Sequence, residues 1–103
     1  MVSAVSAHTS RIADLCRRHG VRRLCLFGSA ARGQAGDTFG DIDFLVVFDD
    51  LEVGRYADAY FGLLQSLEAL LGHPVDLVEE ATIENPYLRS SVDGSRVVLY
   101  ERA

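Results

Sequence analysis

Apolar residues recur along this chain of 103 residues with two different periods, which predict both strands and helices. Short apolar runs that are typical of strands occupy Val21 to Phe27, Asp41 to Phe48, Pro74 to Glu79 and Arg96 to Tyr100. In the second run, successive residues lie on opposite faces of the strand, and both faces are apolar. This run therefore predicts a strand that is buried on both sides.

Three other stretches have helical spacing. The first helix is expected from about Ser3 or Ser6 to His19, and a long helix from Val53 to Leu71, with Gly72 as its stop. A short third helix is expected to begin at Asn85-Pro86 and to continue to about Val92. Acidic residues suit a helix N-terminus, so Asp49, Asp50 and Glu52 are predicted to cap the long helix. The order of elements predicts one α/β (α+β) domain over residues 1–103, with a mixed sheet of about four strands packed against helices.

Two aspartates open the second strand. Asp41 and Asp43 share one face of it, about 6.6 Å apart at about 3.3 Å per residue. Adjacent carboxylates oppose each other's ionisation, and a buried charge is costly unless it is paired or bound to a metal. A divalent cation removes both penalties, and carboxylate oxygens are ligands that Mg²⁺ prefers. The pair therefore predicts a magnesium site.

The first strand ends in Gly28-Ser29. Glycine lets the backbone approach a ligand closely, and a serine at a helix start leaves N–H groups and a hydroxyl facing an anion. A phosphate cradle beside two carboxylates indicates phosphoryl or nucleotidyl transfer. Arg32 would lie one turn further on, where it could contact a phosphate or brace the loop through an ion pair; bracing is slightly favoured.

Asp76 lies near the start of the third strand. A lone aspartate in a short strand most often faces solvent. A strand–helix–strand connection within one sheet is expected to be right-handed and parallel, which can bring Asp76 level with Asp41 and Asp43. Gly28-Ser29 reaches the same rim if the first two strands are antiparallel. This topology favours a catalytic role for Asp76.

The motif G-S-x-x-R-G followed by D-I-D resembles the signature of the DNA polymerase beta-like nucleotidyltransferase superfamily, carried here by residues 28–33 and 41–43. The short chain is similar to the minimal nucleotidyltransferase branch, known as antitoxins paired with HEPN-domain proteins. Gly40 stands where the family commonly has serine, and the spacer from Ser29 to Asp41 is one residue longer than the commonest. Both departures lie in the loop.

The resemblance implies a polymerase beta palm-like fold and an activity that transfers AMP from ATP to a hydroxyl of a partner HEPN toxin, with tyrosine as the expected acceptor. Asp41, Asp43 and Asp76 would hold one or two Mg²⁺ ions and act in catalysis, while Gly28, Ser29 and Arg32 would bind the nucleotide phosphates. Two alternatives stay open: a binding module that neutralises its partner by contact alone, and a nucleotide sensor without turnover.

Charge is unevenly distributed in this chain of net charge −5. Residues 1–32 carry six arginines and one aspartate, whereas the remainder is strongly acidic, which argues against general nucleic-acid binding. The arginine-rich helix 3–19 and helix 53–71, around Phe61, are the expected docking surfaces for a partner protein. Glu79, Glu80 and Glu84 are interpreted as surface charge.

Cys16 and Cys25 have neither disulfide-framework nor metal spacing and are predicted to be core residues. His8 and His19 are interpreted as structural. No apolar run approaches membrane-spanning length and no signal-peptide pattern is present, so a cytoplasmic location is expected.

Overall fold

The computed structural model describes residues 3–27, 42–87, 94 and 96–102. Its described helices are α1 (Ser3–Ser6), α2 (Thr9–Arg18) and α3 (Tyr56–Leu71), and its strands are β1 (Val21–Phe27), β2 (Ile42–Phe48), β3 (Val75–Glu79) and β4 (Val97–Glu101). Short 3-10 turns at Val53–Arg55 and Glu80–Thr82 precede α3 and follow β3. No helix in these ranges is both long and apolar enough to span a membrane.

The four strands form one mixed sheet in the order β3-β2-β1-β4. β1 is antiparallel to both β2 and β4, whereas β2 and β3 are parallel and are connected through α3. The predicted α+β class, the mixed four-stranded sheet and the parallel arrangement of β2 and β3 are therefore confirmed. β1 and β2 are antiparallel, which is the condition under which the end of β1 reaches the same rim.

The main core lies between the helices and one face of the sheet. Alternate residues of the central strands, such as Leu26 and Phe44, pack there against Ile12, Leu63 and Leu67. A smaller cluster of Cys25, Leu45 and Ile83 lies on the opposite face. Alternation along β2 thus buries both faces of the strand, as its sequence predicts.

A glycine follows the end of each of the two longer helices, α2 and α3, and Gly72 is the stop predicted from the sequence. Gly20 and Gly72 have φ angles of +70° and +66°, in the left-handed region that costs glycine least. The N–H of Gly72 donates to the carbonyl oxygen of Glu68 at 2.9 Å, which closes the last turn of α3.

The predicted first helix is interrupted. His8, with φ −126° and ψ 22°, leaves the helical conformation between α1 and α2. The apolar stripe continues across this break, because Val5, Ile12 and Cys16 are all buried. An uninterrupted stripe therefore conceals the break from sequence inspection.

The prediction that acidic residues cap the long helix is wrong for Asp49 and Glu52. Glu52 makes no side-chain capping hydrogen bond, and Asp49 instead accepts one at 2.8 Å from Arg102, which follows β4. The end of β2 and the end of β4 are joined by this ion pair. It connects residues 53 positions apart, a contact that local charge patterns do not reveal.

Candidate active site at one edge of the sheet

The end of β1 and the beginnings of β2 and β3 lie side by side at one end of the sheet. Asp43 is the register partner of Phe27 on antiparallel β1 and of Asp76 on parallel β3. The N–H of Ile42 donates to the carbonyl oxygen of Pro74 at 3.0 Å, so the beginnings of β2 and β3 are held level. The predicted alignment of Asp76 with Asp43 is therefore present.

Asp43 and Asp76 lie on the face of the sheet that the helices leave open. Their chain neighbours Phe44 and Leu77 belong to the helix-side core, and successive strand residues point to opposite faces. Asp43 is partly buried and Asp76 is exposed. Because neighbouring strands lie about 4.8 Å apart, two carboxylates in register can share one cation.

The donor chemistry of this pair fits Mg²⁺, which takes carboxylate oxygens as ligands. Asp41, the third carboxylate expected in the set, lies outside the described residues, as do Gly28, Ser29 and Arg32. Within the described ranges, no group of three or more His, Cys, Asp or Glu side chains is placed to hold a metal. The structure thus brings together two of the six predicted site residues.

Tyr60 of α3 supports the strand that carries Asp76. Its hydroxyl donates a hydrogen bond to the backbone carbonyl oxygen of Leu77. Burial raises the pKa of Tyr60, and the negative charges of Asp76 and Glu79 raise it further. The phenol therefore stays protonated and keeps its role as a donor.

Glu68 is a second supporting residue, and the sequence analysis missed it. Its Oε2 accepts a hydrogen bond at 3.0 Å from the N–H of Val75, the residue directly before Asp76. Glu68 lies in the last turn of the predicted long helix, and no local pattern in the sequence indicates this contact.

The interpretation of Glu80 as surface charge is wrong. Glu80 is only 8% exposed, and Arg23 Nη2 donates to its Oε1 and Oε2 at 3.0 and 2.9 Å. Arg96 Nη2 donates to Oε1 at 3.0 Å. Burial opposes ionisation of Glu80, but the hydrogen bonds and charges of Arg96 and Arg23 outweigh it and lower the pKa. These contacts join β1, the turn after β3 and the start of β4 on the open face.

The other titratable groups fit structural roles. Cys16 and Cys25 are buried free thiols, and burial raises the pKa of Cys16 to about 12 despite the nearby charge of Arg17. Burial, followed by the charge of Arg18, lowers the pKa of His19. Raised thiol and lowered imidazole pKa values favour neutral forms, in agreement with the core interpretation of the cysteines.

Fold and sequence together define the class. Residues 10–99 match the family model of the nucleotidyltransferase domain, and the chain belongs to this family of enzymes. Protein adenylyltransferase MntA of Thermococcus cleftensis is 36% identical over 83 residues, which cover 81% of this chain and 77% of that protein. A relative from Methanocaldococcus jannaschii, provisionally named a protein adenylyltransferase, is 35% identical over 92 residues, covering 82% of this chain and 90% of its own.

Solved structures show the same fold. A minimal nucleotidyltransferase structure, so named provisionally, has a TM-score of 0.73 and 39% identity and covers 90% of both chains. A toxin–antitoxin structure with AMP-PNP has a TM-score of 0.68 and 27% identity, covering 91% of this chain and 73% of that one. The MNT antitoxin complex with tri-AMPylated HEPN toxin of Shewanella oneidensis matches with a TM-score of 0.63 and 25% identity, covering 94% and 72%.

Proposed function

We propose that residues 1–103 form one minimal nucleotidyltransferase domain that transfers AMP from ATP to a tyrosine hydroxyl of a HEPN-domain toxin and thereby acts as its antitoxin. The relatives named protein adenylyltransferase and the neighbouring complex with an AMPylated toxin support this assignment. The structural observation that carries it is the register of Asp43 with Asp76 beside the end of β1.

Asp41, Asp43 and Asp76 are the proposed holders of one or two Mg²⁺ ions. The observed pair fits this role, since its carboxylates lie on adjacent strands at a solvent-accessible edge. When bound, magnesium supplies positive charge that offsets the charge of the triphosphate and of the leaving pyrophosphate. The aspartates themselves determine where that charge is placed.

Gly28, Ser29 and Arg32 are proposed to bind the ATP phosphates. The support is their sequence position: Gly28 and Ser29 directly follow Phe27, which lies beside Asp43 in the sheet. Backbone N–H groups and a hydroxyl placed after a strand are suited to phosphate oxygens. Arg32 adds a positive charge of the type that pairs with phosphate.

The acceptor step is a substitution at the α-phosphorus of ATP. The tyrosine oxygen forms a bond to that phosphorus, the bond to the bridging oxygen breaks, and pyrophosphate leaves. The phenolic proton passes to the carboxylate of Asp76, which acts as the general base. An ordinary tyrosine pKa near 10 makes this transfer easier than from an aliphatic alcohol. Asp76 is exposed on an edge strand, where a side chain of another protein can reach it.

The docking surface is proposed to lie on the helices at 3–19 and 53–71. Phe61 on α3 is 56% exposed, and Arg11, Arg17 and Arg18 on α2 are also exposed. Aromatic residues and arginines are both enriched at protein interfaces, and exposed ones are candidate anchors. A cytoplasmic location, with its supply of ATP, completes the proposal.

Mass spectrometry of the partner toxin tests the function. The chain is incubated with the toxin, ATP and Mg²⁺, and the toxin is expected to gain the mass of AMP on a tyrosine-containing peptide. Asp43→Asn should abolish the gain, whereas Asp50→Asn, at an exposed position after β2, should preserve it.

The alternative of neutralisation by contact alone has a distinct outcome in the same experiment. If contact alone neutralises the toxin, the Asp43→Asn variant should protect against the toxin to the same degree as the unmodified chain. No AMP should then be found on the toxin. Transfer to free RNA or small molecules with an unmodified toxin would instead show that the acceptor class is wrong.

A further inference from the structure

A concave site lies away from the aspartates. It is a cavity of about 390 Å³ between the end of α2, the segment after β2 and the start of α3. We call it the arginine cavity, because its lining includes Arg17, Arg18 and Arg55, together with His19, Leu51 and Asp58.

The arginine cavity and the candidate active site lie at opposite ends of the central strands β1 and β2. Phe27 and Asp43 are partners at one end of the β1–β2 pair, and Val21 and Phe48 are partners at the other. The cavity is lined by residues just before Val21 and just after Phe48. Seven-residue strands separate the two sites by about 20 Å. A ligand in the cavity would therefore not contact Asp43 or Asp76.

Two arginines of the cavity form no ion pair with any carboxylate in the described part of the chain. Arg17 forms an ion pair with Asp14 at 2.7 Å and lies over the ring of Tyr100. In contrast, neither Arg18 nor Arg55 has a carboxylate partner among the described residues, and the cavity's Asp58 forms an ion pair with neither of them. Two unpaired guanidinium groups beside one concave space make a local excess of positive charge in a chain of net charge −5.

The walls combine these charges with apolar and polar surface. Leu51 and Ala59 contribute apolar contacts. Nε2 of His19 is buried and has no hydrogen-bond partner in the described part of the chain.

We propose that the arginine cavity binds a small anion that carries phosphate groups, up to the size of a free nucleotide. Guanidinium groups match phosphate oxygens through paired N–H donors. The volume falls in the range of small-molecule sites, about 300–1,000 Å³, and exceeds what a single phosphate fills. This site is additional to the proposed catalytic one and does not depend on it.

The test is a binding titration of the whole chain by calorimetry, with ATP, pyrophosphate and inorganic phosphate in separate arms and EDTA present throughout. Arg18→Gln and Arg55→Gln should each weaken binding by about tenfold, the effect expected for loss of one charge-assisted hydrogen bond. Arg22→Gln is the matched control, since Arg22 is exposed and does not line the cavity. It removes the same charge and should leave affinity within about twofold. Thermal unfolding checks that all three variants fold.

Amide chemical-shift mapping locates the bound anion. Shifts at Gly20 and Ala59, with none at Asp43, are expected. Binding of ATP alone would identify a nucleotide as the ligand, whereas binding in all three arms would identify the phosphate group as sufficient.

Four outcomes would overturn the proposal: no saturable binding of any of the three anions at millimolar concentration, an equal loss of affinity in Arg22→Gln, shifts centred on Asp43, or loss of toxin binding in the cavity variants without any anion affinity. The last outcome would make the cavity a protein-docking surface instead.

Discussion

The carboxylate of Glu68 accepts a hydrogen bond from the backbone N–H of Val75 at 3.0 Å, so α3 holds the first residue of β3 directly before Asp76. The first residues of β3 are therefore positioned by two different contacts: one to β2 through Pro74 and one to α3 through Val75. Glu68, on a helix, thereby helps to position Asp76, the proposed general base.

Two replacements of Glu68 should show whether its hydrogen bond to Val75 or its negative charge matters. Glu68→Ala leaves the N–H of Val75 without its acceptor, which should lower the free energy of unfolding by about 1–3 kcal/mol and reduce AMP transfer. Glu68→Gln keeps an acceptor oxygen and should retain most of both. Urea denaturation and the AMP-transfer rate are the measurements. Gln65→Ala, on the exposed side of the same helix, is the control. Equal behaviour of the alanine and glutamine variants would rule out the positioning role.

Asp43 should matter for activity more than for folding. Asp43 and Asp76 are adjacent like charges, so Asp43→Asn without Mg²⁺ should keep or raise the thermal midpoint. AMP transfer should nevertheless fall by about 10²-fold or more. The comparison is a thermal unfolding scan with and without Mg²⁺, paired with the toxin assay, and Asp50→Asn serves as control. An Asp43→Asn chain that still transfers AMP would contradict the proposed mechanism.

Glu80 should make stability depend on acid. Its pKa is lower in the folded chain than the ordinary 4.5, so the folded state keeps the carboxylate charged at a lower pH than the unfolded state does. The resulting stabilisation is complete above about pH 4.5 and is lost as pH falls through the folded-state pKa. Urea denaturation at a series of pH values should show this loss.

The matched variants for that series are Glu80→Gln and Glu84→Gln. Removing one partner of a buried ion pair is costly, so Glu80→Gln should destabilise the chain by about 3 kcal/mol at pH 7 and flatten its acid dependence. Glu84 is exposed, and its variant should follow the unmodified chain. A Glu80→Gln profile parallel to the unmodified one would refute the ion-pair explanation.

Phe61 should contribute to partner binding without stabilising the fold. Its side chain is 56% exposed, although its ring packs edge-on against Tyr60, with the ring centroids 5.2 Å apart. Phe61→Ser should weaken toxin binding by about 2 kcal/mol or more if it anchors the interface, while changing the thermal midpoint little. Ala69→Ser, at another exposed position of α3, is the control. Unchanged toxin affinity in Phe61→Ser would remove this residue from the docking surface.

Local patterns in the sequence determined much of the fold. A nearly continuous apolar run predicted β2 as a strand with two apolar faces, and helical spacing with Gly72 predicted α3 and its end. The spacing of G-S-x-x-R-G and D-I-D pointed to the family, because these residues supply two different parts of one reaction within a short stretch. Asp43 and Asp76 were recognised as candidate site residues because each lies near the start of a predicted strand.

Tertiary structure alone decided which distant groups meet. Glu80 reads as one of several surface acids, yet it is buried between Arg23 and Arg96, which come from opposite ends of the chain. Glu68 reads as an ordinary helix residue, yet it holds Val75. That neither Arg18 nor Arg55 pairs with a carboxylate of the described residues likewise depends on where those carboxylates lie in space. Hydrophobic periodicity reports which side of an element is buried, but pairing between side chains depends on the register and packing of whole elements.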